Sequence, residues 1–483
     1  MKDKFVVSVY CGPQPPIEVD GIQYPDRIKK EQYQLLKDMG VNMIYGQCDI
    51  MNTPTEEYAF RAMDFCAELG LDYLVKDQLA REYCSLGEPM FRIYQYRDFR
   101  ALTEEEKCEL DARFEKSLLR YKDHPAFKGM IFIDEPGKEM FDGIARAKKV
   151  FDRLCPDKLF LVNHLHHRVP DSFYQFAWQP KSDEPIDEAF VYKMDRTQIK
   201  YDGFYYNNTH EKYDTFIDCF FDKVDTNIFS YDIYPFIEFE RHYLINNALY
   251  TLPQLAYNRM KKTGKEYWIF LQCGGKWDSI TKVTSFSEVQ LSVSVAVALG
   301  AKGLELYTGC YSNDCLPGEE GEQSGVIDRF GEITNQYDFY RYALRQVKAI
   351  EKYIAPAELV GVIANGEYFD DTPSAEEWRD KYDAKDIYKG KFPPYANYER
   401  KEYKELVKVE SKYQVLVSCF ENNGKRVFMV VNTSPVIATR VRLVFDKVYD
   451  YEKIIGANSE TGNSEFVEEI SLPAGENFVV VLK

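Results

Sequence analysis

Short apolar runs alternate with longer amphipathic stretches through most of the chain, and the alternation repeats eight times. A run that is apolar at every position reads as a strand buried on both faces, the condition of a parallel sheet covered by helices. Strands are expected at 5–11, 41–47, 71–77, 130–135, 159–164, 228–234, 267–272 and 302–307. Apolar residues at helical spacing predict helices over 26–39, 56–69, 103–122, 138–154, 242–263 and 287–299, with a closing helix over 336–353. Gly40, Gly70, Gly264 and Gly300 stand at helix ends just before strands, where a left-handed residue is expected. Eight strand–helix units predict an α/β fold, a (β/α)8 TIM barrel.

Two connections exceed what a barrel needs. The stretch 166–227 carries Trp178, Tyr192, Tyr201, Phe204, Tyr205 and Tyr206, and the stretch 309–331 is acidic. Long loops on the catalytic face of a barrel shape a cleft. Beyond about 355 the helical period stops, and from Tyr413 onward short alternating strands separated by turns predict a C-terminal antiparallel β-sandwich, with Asn423-Gly424 as a hairpin signal. The expected division is a barrel over 1–354 and a sandwich over 355–483, with 370–404 readable as a loop or an insertion.

Composition narrows the partners. The 483 residues carry a formal charge of −17, which excludes nucleic acid as a partner, since phosphate binding needs clustered Lys and Arg. Neutral substrates remain, and an aromatic share of 15%, with 37 Tyr and 32 Phe, suits stacking on sugar rings as well as core packing. No run approaches a membrane span and the start MKDKFVVSVYCGP lacks a signal-peptide pattern, so a cytoplasmic protein with no membrane partner is expected. The 11 cysteines form no CxxC pair and read as reduced core thiols. Monomer and homo-oligomer are both open. No phosphate loop, dinucleotide fingerprint or nucleophile elbow is present, and no cofactor is expected.

Chemistry is concentrated in carboxylates at strand ends: Asp49, Asp77, Asp134, Glu135, Asp232 and Glu305. In YKDHPAFKGMIFIDEP, residues 121–136, an apolar strand runs straight into Asp134 and Glu135. The C-terminal end of a barrel strand is where catalysis is placed; an acid capping the helix after Pro136 is the structural alternative. In GLELYT, alternation puts Glu305 and Tyr307 on one face and Leu304 and Leu306 on the other, so Glu305 should point into the barrel, as a catalytic acid or paired with a barrel Lys such as Lys76. Asn163-His164-Leu165-His166-His167 closes strand five. Without an acidic third ligand at helix spacing it is read as a hydroxyl-binding or packing cluster rather than a metal site. Gln272 and Tyr307 end strands seven and eight, and Trp277 offers either a sugar platform or a loop anchor.

The fourth-strand segment resembles that of glycoside-hydrolase barrels, in which Asp-Glu-Pro or Asn-Glu-Pro ends the strand and the Glu is the proton donor; the resemblance gives that role to Glu135. FSYDIYPF, residues 229–236, resembles the sixth strand of such barrels and offers Asp232 and Tyr234. LGAKGLELYT and the later GVIDRFGEITNQYDFYRYALRQVKAI resemble the closing segment of family 42-like β-galactosidases. These likenesses imply a carbohydrate substrate. The seventh strand departs from the pattern: where the large retaining clan carries a nucleophilic Glu, the chain reads Trp268-Ile-Phe-Leu-Gln272, with Leu271 in its place. Glu305 or Asp232 then substitutes, the substrate supplies its own nucleophile, or the barrel binds sugar without cleaving it. Asp134-Glu135 also resembles the pair of substrate-assisted hexosaminidases, where the Asp orients a 2-acetamido group and the Glu donates the proton.

Overall fold

A computed structural model describes residues 3–19, 21–46, 49–84, 98–165, 210–239, 242–245, 248–275, 281–310, 325–366 and 404–483. Trp277 and His166, most of the expected cleft loops after strands five and eight, and nearly all of the 370–404 stretch lie outside these residues.

Eight parallel strands close into a barrel in chain order. They are β1 (Val6–Val9), β2 (Met43–Tyr45), β3 (Asp72–Val75), β4 (Phe127–Asp134), β5 (Leu159–His164), β6 (Ile228–Asp232), β7 (Glu266–Gln272) and β8 (Gly303–Tyr307). Around them lie α1 (Lys30–Met39), α2 (Glu56–Leu69), α3 (Glu104–Tyr121), α4 (Phe141–Leu154), α5 (His210–Val224), α6 (Ala248–Thr263), α7 (Phe286–Ala298) and α8 (Asn335–Ile354). Gly40, Gly70, Gly264 and Gly300 all have positive φ, a conformation without a Cβ penalty only for glycine.

The expected eight-strand series is what the chain forms, with two corrections between strands. Helix α5 occupies part of the stretch after β5 that was read as loop; Tyr213, Phe216, Ile217, Phe220 and Val224 are its buried stripe. The helix expected from residue 242 begins at Ala248, because Phe236–Phe239 and His242–Ile245 first pair as an antiparallel hairpin.

Two apolar layers follow from strand alternation. Val6, Met43, Tyr45, Leu74, Ile131, Leu161, Ile228, Trp268 and Phe270 fill the lumen. Neighbours such as Val7, Ile44, Met130, Val162, Ile269, Leu271, Leu304 and Leu306 pack outward with the helices. Gly303 admits the Trp268 ring: a Cβ there would lie 2.2 Å from the indole Cγ. One irregularity bears on the site. Between Ile131 and Ile133 the register of β4 against β5 shifts, so that Asp134 lies opposite Asn163, a bulge that re-aims the last side chain of the strand.

The C-terminal strands are β9 (Glu358–Asn365), β10 (Leu406–Ser411), β11 (Val415–Asn422), β12 (Lys425–Asn432), β13 (Thr439–Ile455), β14 (Asn458–Leu472) and β15 (Asn477–Leu482). They pair in the order β9-β11-β12-β15-β13-β10, with β14 alongside β13, and fold into the expected antiparallel sandwich. Its outer core includes Val417, Phe428, Val430, Leu443, Val467 and Val480. On the other face Leu416, Phe420, Val427, Met429, Val431, Val479 and Val481 join the core of the barrel's helical layer.

Candidate active site

The site begins at the end of β4. Asp134 Oδ1 accepts from Asn163 Nδ2 at 2.8 Å and Oδ2 from the Tyr10 hydroxyl at 3.0 Å. Glu135 follows with φ +48°, a left-handed conformation that costs a non-glycine residue about 1–2 kcal/mol. Its N–H is held at 2.8 Å by the Asn163 backbone carbonyl. Strain of this kind persists where the surroundings over-determine it, and functional sites are where it collects.

Glu135 is 8% exposed and its carboxyl meets that of Asp232, the last residue of β6, which is 3% exposed. Burial, then the Asp232 charge and contact, then the Asp134 charge push the Glu135 carboxyl well above the usual range. Asp232 is also raised, first by burial, while the contact itself favours its ionised form. Two buried carboxyls in contact cannot both ionise cheaply, which favours a proton retained on Glu135. Asp134 is raised by burial but pulled back by Asn163, by the charge of Lys76 and by Tyr10.

Beneath them, Glu305 is fully buried, and burial pushes it up to about 8. Its Oε1 meets the Tyr45 hydroxyl, and Oε2 lies 2.7 Å from Ser230 Oγ, which is 2.9 Å from Asn163 Oδ1. Its partners are thus hydroxyls rather than Lys76. Tyr307 stands between Tyr10 and Tyr234, with ring centroids 5.7 and 5.4 Å away, so three tyrosines wall the carboxyls. The peptide bond Tyr307–Thr308 is cis.

The barrel therefore brings together Asp134, Glu135, Asp232, Glu305, Asn163, Tyr234 and Tyr307. Four other expected site residues are engaged elsewhere. Asp77 accepts from Asn52, Ser117, Tyr121 and the Leu79 N–H, at 2.6 to 3.0 Å, and pins the loop after β3. Gln272 binds both backbone groups of Phe236 and the Lys282 carbonyl. Asp49 accepts from Tyr73, a residue of the outward layer. His164, on the opposite face of β5 from Asn163, lies among Phe216, Phe220 and Phe229. Tyr10 and Ser230 were not singled out from the sequence, although alternation from Val6 through Ser8 puts Tyr10 on the lumen face. Leu271 packs outward, and the residue of β7 facing the lumen at that level is Gln272.

No protein-family model matches the chain, and no curated protein matches it. Among solved structures it is similar to an α-amylase from Geobacillus thermoleovorans complexed with acarbose: 8% identity, covering 100% of this chain and 98% of that one, TM-score 0.49. A family 5 glycoside hydrolase from Bacteroides vulgatus shares 10% identity over 99% of this chain and 88% of its own, TM-score 0.49. A β-galactosidase from the psychrophilic Marinomonas ef1 shares 11% identity over 74% of this chain and 62% of its own, TM-score 0.44. These likenesses concern the path of the chain; its chemistry has to be argued from its side chains.

Proposed function

We propose that the protein is a glycoside hydrolase in which Glu135 is the general acid and, after bond cleavage, the general base. The observation that carries the reading is the buried contact between the Glu135 and Asp232 carboxyls beside a wall of tyrosines. Cleavage of a glycosidic bond needs a proton on the leaving oxygen while positive charge builds on the sugar ring. Burial and the charge of Asp232 push the Glu135 carboxyl up, toward keeping the proton a general acid needs, and the tyrosine faces suit a sugar ring. Asp134, raised by burial and pulled back by Asn163, Lys76 and Tyr10, in its ionised form supplies negative charge to the developing cation.

A second reading is favoured by a specific observation. Glu135 and Asp232 touch, which is closer than the separation of about 5–5.5 Å that lets one carboxylate attack while the other protonates. That supports a nucleophile carried by the substrate: a 2-acetamido oxygen attacks the anomeric carbon, Asp134 accepts the amide N–H, Glu135 protonates the leaving oxygen, and water then opens the oxazoline.

A panel of aryl glycosides with and without 2-acetamido groups tests both readings. Turnover is expected, and Glu135→Gln should lower it about a hundred- to ten-thousand-fold on a poor leaving group, with partial recovery on a good one. Undiminished activity of the variant on the poor leaving group would remove Glu135 from the role. Sugar binding with no turnover by the wild type would leave a sugar-binding barrel instead.

A further inference from the structure

Asn163 bonds to Asp134 and to the backbone of Glu135 and reaches Glu305 through Ser230, and what each of its atoms faces fixes a direction. Its Nδ2 lies 2.8 Å from Asp134 Oδ1 and the Tyr10 hydroxyl lies 3.0 Å from Oδ2, so donors meet both oxygens of that carboxyl and the donor end of the amide points there. The acceptor end, Oδ1, therefore points to Ser230 Oγ at 2.9 Å and takes the serine's single proton. Ser230 has no second proton to give to Glu305, whose Oε2 is 2.7 Å away on its other side. That contact is a hydrogen bond only if Glu305 donates. Glu305 Oε1 is occupied by the Tyr45 hydroxyl, so the proton belongs on Oε2.

We infer that Asn163 is a positioning residue that orders one hydrogen-bond chain through the lumen, keeping Glu305 protonated as donor to Ser230 and Asp134 ionised as acceptor. The groups around Glu305 agree with this. Ser8 of β1 and Phe270 of β7 are its register neighbours and do not titrate in the ordinary range. Tyr45 of β2 and Ser230 of β6 are hydroxyls. Asp134 and Asp232 present only negative charge, which opposes ionisation, as does burial. The same amide makes a weaker contact with Asp232 that favours its ionised form, and the Asn163 carbonyl fixes the backbone of Glu135. The consequence for the reaction is specific. A neutral Glu305 with both oxygens engaged is no nucleophile, so the absent seventh-strand Glu is not replaced by the eighth-strand one. This deepens the hydrolase reading and rests on it for its catalytic meaning, while the proton positions can be measured without any substrate.

Infrared spectroscopy of the full chain labelled with 13C at glutamate carboxyls, and separately at aspartate carboxyls, reads those protons directly. At pH 7 the wild type should show a protonated glutamate band that disappears in Glu305→Gln. Asn163→Leu should lower the Glu305 midpoint, because Ser230 is freed to donate to the ionised form. It should also raise the midpoint of Asp134, identified by its loss in Asp134→Asn, because that carboxylate loses a donor. A merely structural role for Asn163 would not move the two midpoints in opposite directions. The inference is overturned if wild type and Glu305→Gln show the same protonated bands at pH 7, a comparison needing no change at position 163, or if Asn163→Leu moves both midpoints the same way. Such a result would leave turnover by Glu135 untouched, whereas failure of the glycoside panel would leave the proton positions standing.

Discussion

Asn432 in the C-terminal sandwich and Asn163 at the barrel mouth are both buried, at 0% and 2% exposure, yet they face different company. Asn432 donates to the Ile437, Leu472 and Pro473 carbonyls and accepts from the Ser434 N–H, so every partner is a neutral backbone group. Asn163 faces Asp134 and Ser230, and behind them stand Glu305 and Asp232. In the sandwich, burial supports apolar packing and Asn432 closes a turn. In the barrel mouth, burial holds acids away from their solution behaviour. Burial alone therefore does not mark a site; a buried polar group is informative when its partners can titrate.

If the sandwich is a structural cap, removing it should have the largest effect of any change considered. Truncation after Ile354 would uncover the helical layer now packed on Leu416, Phe420, Val427, Met429 and Val481. It would also break the bond from Asn477 Nδ2 to Ser294 Oγ at 2.8 Å. Aggregation, or a Tm lower by several degrees, is expected in light-scattering and melting experiments. A soluble barrel with an unchanged Tm would make the sandwich a tethered module.

The barrel mouth should instead respond to pH. Burial raises Glu305 from its ordinary 4.5 to about 8, so the folded protein retains a proton that the unfolded chain releases between those values. Its contribution is fully present below pH 4.5 and is lost as pH rises toward 8, at up to about 1.4 kcal/mol per pH unit. Denaturant titrations at pH 5 and pH 8 should show a smaller drop for Glu305→Gln than for the wild type. Equal drops would mean that Glu305 titrates normally.

His164 gives an effect of opposite sign. Burial among phenylalanines lowers it from 6.5 to about 3. The unfolded chain then binds the extra proton, and stability falls as pH drops through that window, again by up to about 1.4 kcal/mol per unit. His164→Leu should flatten this acid-side slope in melts between pH 6.5 and 4. An unchanged slope would place the acid sensitivity in other groups.

Asn163 and His164 also show what the sequence could and could not reveal. Eight apolar runs were enough for the barrel because a doubly covered strand has to be apolar on both faces. The DEP segment singled out Glu135 because an apolar strand running into two acids puts them at the end of a barrel where catalysis is placed. Position at a strand end was a weaker guide for Asp77 and Asp49, since beyond the last ladder residue the backbone turns and alternation no longer tells where a side chain points, and for Gln272, which faces the lumen but is spent on backbone groups of Phe236 and Lys282. For His164 the alternation still held, and it placed the imidazole behind the strand. Tyr10 could have been found by the same rule. The β4 bulge that aims Asp134 at Asn163 leaves no trace in composition, and α5 lay inside a stretch read as a long loop.

The most direct test of the central claim is the titration of Glu135 itself, followed by 13C NMR of labelled carboxyls in the wild type and in Asp232→Asn. A proton retained on Glu135 predicts a wild-type midpoint well above 4.5. Asp232→Asn should lower it by about one pH unit or more, because the variant removes the negative charge and can donate to the ionised form. A Glu135 midpoint near 4.5 in the wild type, or one unmoved by Asp232→Asn, would contradict the account.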